Sequence, residues 1–260
     1  MTIQLLGYVE VHTPTGSRVA VSHRATLLLA ALACSPNSFV ADEVLIERVW
    51  EEETPQHPLN ALYTLTTRLR KARQTVEDGS HEFDVVRKHG GYVLTVDETQ
   101  VDTAHFRLLT QQAKNAVRQG DEESALTLYG EALSLWRGEP LSGVKSAWAD
   151  GVRLRLRNEH REALVGSAEL GMRNGRHEEY APLLHQLSVE HPFDEKITSL
   201  LMLALYRSGR QNEALSCFHS TRSRIIEQLG DEPGQELRVL HERILRREMD
   251  LGCVRALQTV

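Results

Sequence analysis

Between residues 58 and 73 the stretch PLNALYTLTTRLRKAR carries four basic side chains, Arg68, Arg70, Lys71 and Arg73, and no acid. Asn60, Thr64 and Thr67 precede or interleave with them at steps of about one helical turn. Side chains three and four residues apart share one side of a helix. Amide, hydroxyl and guanidinium groups arrayed this way can hydrogen-bond base edges and phosphate oxygens of duplex DNA. A second basic pair, Arg87-Lys88, stands immediately before a tight His89-Gly90-Gly91 corner. The chemistry open to these residues is recognition of an anionic polymer.

The chain as a whole is acidic, with a net charge of −6 over 260 residues. Residues 1–100 hold nine Lys/Arg against thirteen Asp/Glu, whereas residues 54–76 hold four and none. Charge attraction is screened beyond about 10 Å at moderate salt, so the local face counts for more than the total. Taken alone, RLRKAR also fits a solvated helix face with no ligand, so its neighbours decide the matter.

The segment that positions these groups reads as a helix. Pro58 suits a first helical position, where its missing N–H has no intrahelical partner. Leu59, Leu62, Leu65 or Thr66, Leu69 and Ala72 recur at helical steps and form the expected core stripe. Upstream, IQLLGYVEVH (3–12) reads as one strand with Ile3, Leu5, Val9 and Val11 on one face, PTGS (14–17) as a turn, and RVAV (18–21) as a strand pairing back. Ser22 is placed to cap a helix ending near Ala33, and SPNS follows as a turn. DEVLIERVWEE (42–52) is a second helix, buried through Leu45, Val49 and Trp50, with acids in the first turn where the dipole favours them. After the basic helix come an EDGS turn (77–80) and a hairpin of FDVVRK (83–88) and YVLTV (92–96). Strands, two helices, a basic helix and a hairpin make a winged helix-turn-helix, whose third helix fits the major groove. Arg87 and Lys88 on the wing lie near phosphates in that arrangement.

RATLLLAALACSPNSFVADEVLIERVW, NALYTLTTRLRKAR and VVRKHGGYVLTV resemble the response-regulator type winged helix of the Streptomyces antibiotic regulatory proteins. The resemblance implies that Arg68 reads a base. It places Thr64, Thr67, Arg70 and Lys71 at base or phosphate contacts, and Arg87, Lys88 and the Gly90-Gly91 pair on the wing. Ala41 departs from the family, which usually caps the second helix with Ser or Thr there. A lost cap costs about 0.5–2 kcal/mol, and Asp42 is the expected substitute.

Beyond an acidic connector, DETQVD (97–102), the sequence reads almost entirely as helix. A corner recurs in RQGDEESAL (118–126), RNGRHEEYA (173–181) and RSGRQNEAL (207–215). Gly175 and Gly209 are 34 residues apart, the tetratricopeptide period; the 55 between Gly120 and Gly175 require an insertion of about twenty residues, which RGEPLSGVKSAW (137–148) supplies. Glycine ends the first helix of each pair because it adopts a left-handed conformation cheaply, and Ala125 and Ala214 allow close approach of the partner helix. VDTAHFRLLTQQA, GDEESALTLYGEALSLWRGEPL, HPFDEKITSLLMLALYRSGRQNEALSCF and LGDEPGQELRVLHERIL are similar to the bacterial transcriptional activator domain that follows the winged helix in the same regulators. The expected fold is mainly α: a winged helix-turn-helix over 1–97, an all-α tetratricopeptide-like activator domain over 101–250, and a tail over 251–260.

Catalytic patterns fail on spacing. GEPLSGVKS (138–146) approaches a P-loop, but Val144 separates Gly143 from Lys145 and no buried strand precedes it. His241-Glu242 lacks the second His of a metalloprotease helix, and no Gly-x-Ser-x-Gly elbow occurs. None of the twelve histidines sits at ligand spacing from Cys or carboxylate. Neither cofactor nor metal is expected, and the chain is not expected to be an enzyme. The longest apolar run falls short of the ~20 residues that span a bilayer, and MTIQLLGYVE does not read as a signal peptide. Cys34, Cys217 and Cys253 fit a reducing cytoplasm. The resemblance implies a transcriptional activator of a secondary-metabolite gene cluster. Its partners would be double-stranded promoter DNA, a second copy on direct repeats, and RNA polymerase with its sigma factor. A helical-repeat scaffold without DNA binding remains the alternative.

Overall fold

The computed structural model describes residues 1–74 and 83–248. The EDGS turn, Cys253 and the 251–260 tail lie outside the described residues. Two compact units emerge, Met1–Ala163 and Leu164–Val260.

In the first unit, β1 (Thr2–Gln4) and β2 (Glu10–His12) pair with each other antiparallel, with Ile3 opposite Val11. The single strand expected over 3–12 is therefore a folded-back pair. Alternation does not betray the reversal because both arms bury the same side: Ile3, Leu5, Val9 and Val11 are all buried. Gly7, at φ 152°, lies in the connection. RVAV contributes one bridge, His12 to Arg18, and no full strand.

Helices α1 (His23–Ala33), α2 (Asp42–Trp50) and α3 (Pro58–Gln74) pack on one another around Leu28, Leu29, Leu32, Leu45 and Leu62. Ser22 occupies the cap position of α1 without a side-chain capping bond. Three strands complete the wing: β3 (Phe39–Ala41), β4 (Phe83–Lys88) and β5 (Gly91–Val96), in the order β3-β5-β4. The sequence pattern does not mark β3, three residues whose partner lies some fifty positions on. Asn37 secures the approach to it. At φ 59° it adopts a left-handed turn that Asn tolerates. Its side-chain amide donates to the Val96 carbonyl and accepts from the Val96 N–H.

The acidic connector is not a loose linker. Asp97 caps a short 3-10 turn over Glu98–Gln100, Val101 is fully buried beside Ile3, and Asp102 opens α4 (Asp102–Gln119) with its carboxylate inside. That carboxylate accepts the Leu5 N–H at 2.8 Å and the Leu6 N–H at 3.0 Å, and pairs with Arg137. The segment after α5 (Glu122–Ser134) runs beside the same strand, with Arg137 N–H on Leu6 O, Leu141 N–H on Leu5 O and Ser142 N–H on Gly7 O. This is the insertion seen in the repeat spacing. Its end reaches the helix-turn-helix: the Trp148 indole donates to the Arg48 carbonyl at 2.9 Å, and the Arg48 guanidinium lies 5.5 Å from the ring centre. The expected boundary at 97–101 and the compact units thus divide the chain differently, because packing carries residues up to Ala163 along with the winged helix.

Helix α6 (Ala147–Arg173) contains the boundary between the units; α7 (His177–Glu190), α8 (Glu195–Arg207), α9 (Gln211–Leu229) and α10 (Gln235–Leu245) follow. The three glycine corners share one hydrogen-bond pattern. Gly120, Gly175 and Gly209 have φ of 83°, 76° and 76°. The next residue donates five positions back each time: Asp121 to Ala116, Arg176 to Gly171, Arg210 to Leu205. This is the Schellman closure that leaves glycine the cheapest residue. Ala125 and Ala214 are fully buried at equivalent places. The middle corner has Tyr180 instead, and Gly171 makes room: a Cβ there would lie 2.0 Å from the Tyr180 ring.

Replacing Asp102 by Ala strands two backbone amides and a guanidinium. Urea unfolding of the full chain should register a loss of about 3–5 kcal/mol, the usual result of breaking a buried charged cluster; a loss under about 1 kcal/mol would contradict this role.

Candidate nucleic-acid interface

Helix α3 is held by one face. Leu62, Leu65, Thr66 and Leu69 are buried, and the Thr66 hydroxyl satisfies itself on the Tyr63 carbonyl at 2.9 Å. The opposite face carries Asn60, Thr64, Arg68 and Lys71 exposed, with Thr67 half-buried at its margin. Leu59, expected in the core, is 57% exposed. It lies in the first turn, before the helix meets its neighbours, so the apolar period extends one turn beyond the contact. Tyr63, to which the sequence pattern assigns no role, is 62% exposed on the same outward side. Its four-residue step from Leu59 and to Thr67 is the available signal.

The basic residues divide into two groups. Arg70 turns away from solvent and donates through Nε to the Val85 carbonyl of β4 at 2.9 Å, joining α3 to the wing. Arg87 pairs with Asp42, Nη2 to Oδ2 at 2.8 Å, and lies 4.6 Å over the Tyr92 ring. Asp42, expected to cap α2, is buried and serves as this partner; Ala41 holds the cap position with no side-chain bond. Arg68, Lys71 and Lys88 are exposed, and among the described residues no acid pairs with any of them.

The wing turns at His89 and Gly90, both exposed, with Gly90 at φ 75°. The Gly90 carbonyl accepts the Asp42 N–H at 2.9 Å, so the corner rests on the start of α2. Gly91 belongs to β5 and is buried opposite Ala41. A Cβ on it would lie 2.3 Å from the Val40 carbonyl oxygen. Gly91 therefore shapes the corner and offers no surface.

Among the described residues no three His, Cys, Asp or Glu side chains converge as metal ligands, and no helix is long and apolar enough to cross a membrane. Burial pushes the Cys34 thiol up to about 11, leaving it an inert core group.

A winged helix-turn-helix with an outward polar and cationic third helix, followed by helical hairpins, is the architecture of a DNA-binding regulator. Residues 101–245 match the family described as the bacterial transcriptional activator domain. The chain is 31% identical over 253 residues to regulatory protein DnrI of Streptomyces peucetius, covering 95% of this chain and 93% of that one. It is 35% identical over 226 residues to regulatory protein AfsR of Streptomyces griseus, covering 87% of this chain and 22% of that longer one. The structure of Mycobacterium tuberculosis EmbR in complex with a low-affinity phosphopeptide superposes with a TM-score of 0.90 at 26% identity, covering 99% of this chain and 68% of that one. The chain belongs to the Streptomyces antibiotic regulatory protein family, the DNA-binding transcriptional activators that carry the bacterial transcriptional activator domain.

The two groups of arginine predict unequal stability effects. Arg87→Ala leaves the buried Asp42 carboxylate without its partner and should lower stability by about 1–3 kcal/mol. Arg68→Ala, on the open face, should stay within about 0.5 kcal/mol of the parent. Thermal unfolding of the two variants side by side checks the division; equal losses would contradict it.

Proposed function

We propose that α3 lies in the major groove of promoter DNA with Arg68 on a base edge. Asn60, Thr64, Thr67 and Lys71 flank it on bases or phosphates, and Lys88, His89 and Gly90 of the wing approach the adjacent backbone. Arg70, Arg87 and Gly91 hold the reading head in shape from behind. The observation that carries this reading is the exposed polar and cationic face of α3, set outward by its buried leucines.

One winged helix buries a modest interface, so its affinity alone is limited. Two copies on adjacent direct repeats raise it through effective concentration. Residues 1–97 act as the DNA-binding domain and 101–250 as the activator domain, which recruits RNA polymerase through its sigma factor. A cavity of about 560 Å³ between α7, α8 and α9, lined in part by His185, Val189, Arg210, Cys217 and Arg224, is a candidate partner surface. Membership of the family supports control of a secondary-metabolite gene cluster, and the proposed place of action is the cytoplasm. The same cavity would serve a scaffold that never touches DNA, a reading that predicts no salt-dependent DNA binding.

Titrating the chain against its own upstream promoter at two salt concentrations separates these readings. Arg68→Ala should cost about 1–3 kcal/mol of specific binding and relax base preference at one position. Lys88→Ala should weaken every sequence alike and reduce the salt slope by about 1. Equal behaviour of both variants on specific and scrambled duplexes would refute these roles.

A further inference from the structure

The first two turns of α3 expose two large apolar side chains that the fold does not use. Leu59 is 57% and Tyr63 62% exposed, while the core is closed by Leu62, Leu65 and Leu69 at 5% or less. Leu59 and Tyr63 are one turn apart; Tyr63 adjoins Asn60 and Thr67 on the polar face, and Leu59 lies at that face's margin. The threonines beside them are also less polar than their type suggests. The Thr64 hydroxyl donates to the Asn60 carbonyl and the Thr67 hydroxyl to the Tyr63 carbonyl, each at 2.9 Å. A hydroxyl tied back in this way has no proton for a base acceptor. What it still offers is a lone pair and a methyl group. The face is thus split along its length, apolar and accepting toward the N-terminus, cationic from Arg68 onward.

In the major groove an A·T pair presents the adenine amino donor, the thymine O4 acceptor and the thymine 5-methyl group, whereas a G·C pair presents two guanine acceptors and the cytosine amino donor and has no methyl group. Recognition helices place their N-terminal residues against base edges. We propose that Leu59 and Tyr63 read thymine 5-methyl groups, so that the operator carries thymine opposite the first two turns of α3. The proposal rests on the assignment of α3 to the major groove. It adds specificity-determining residues that carry no charge and form no hydrogen bond to the base.

Deoxyuridine lacks only the methyl group, which makes it the direct probe. The full chain first enriches a duplex from a random-sequence pool, and each thymine of that duplex is then replaced singly by deoxyuridine. At one or two positions the replacement should weaken binding about fourfold, the worth of one buried methyl-sized group. In Leu59→Ala or Tyr63→Ala the penalty at the matching position should vanish, with the salt slope unchanged. Both residues are exposed, so thermal unfolding of the variants should match the parent. If a sequence is enriched but every replacement is silent, or the penalty survives both variants, methyl reading is wrong while α3 remains the reading helix. Methyl reading is equally overturned if the variants weaken thymine and deoxyuridine duplexes to the same extent. If no sequence is enriched over scrambled DNA, the groove assignment fails and the proposal with it.

Discussion

The burial of Leu62, Leu65 and Leu69 against the neighbouring helices decides which way α3 faces. A helix has one rotational setting that hides such a stripe, and everything opposite it is then presented outward. Burial of each leucine is worth roughly 1.5–3 kcal/mol, far more than any surface charge pair, so the apolar side dictates and the polar side follows. The outward face of α3 is in this sense a by-product of the core.

Orientation alone would leave the wing free to swing, and the polar ties prevent it. Arg70 holds β4 through the Val85 carbonyl, Arg87 holds Asp42, and the Gly90 carbonyl holds the first amide of α2. Two of these ties use arginines that the sequence reading places at DNA. The family-like activator segment enters the same framework: Trp148 and Arg48 join the start of α6 to α2, within one compact unit. The start of α6 thus touches the helix that precedes α3.

Much of this is legible in the sequence, for identifiable reasons. The glycine corners can be read because a left-handed residue at a fixed place in a repeat leaves few alternatives to glycine. The buried side of α3 can be read because its period is helical over several turns. Leu59 cannot, since periodicity does not say where a helix leaves its neighbours. Nor can β3, whose three residues carry no pattern until β5 is beside them. That Arg70 and Arg87 meet a carbonyl and a carboxylate is hidden from a one-dimensional reading, since these partners lie fifteen and forty-five positions away. Asp42 looks like a helix cap for the same reason: a nearby amide is visible in the sequence, and the distant guanidinium is not.

The carboxylate of Asp102 has a consequence for how the molecule comes into being. Leu5, Leu6 and Gly7, just past β1, find hydrogen-bond partners at Asp102, Arg137, Leu141 and Ser142. On a ribosome Arg137, Leu141 and Ser142 emerge about forty residues after the wing ends at Val96, so these backbone groups gain their last partners once α1 to α3 and the wing have already been made. Closing the first unit is then a late event in synthesis, and the activator segment is what closes it.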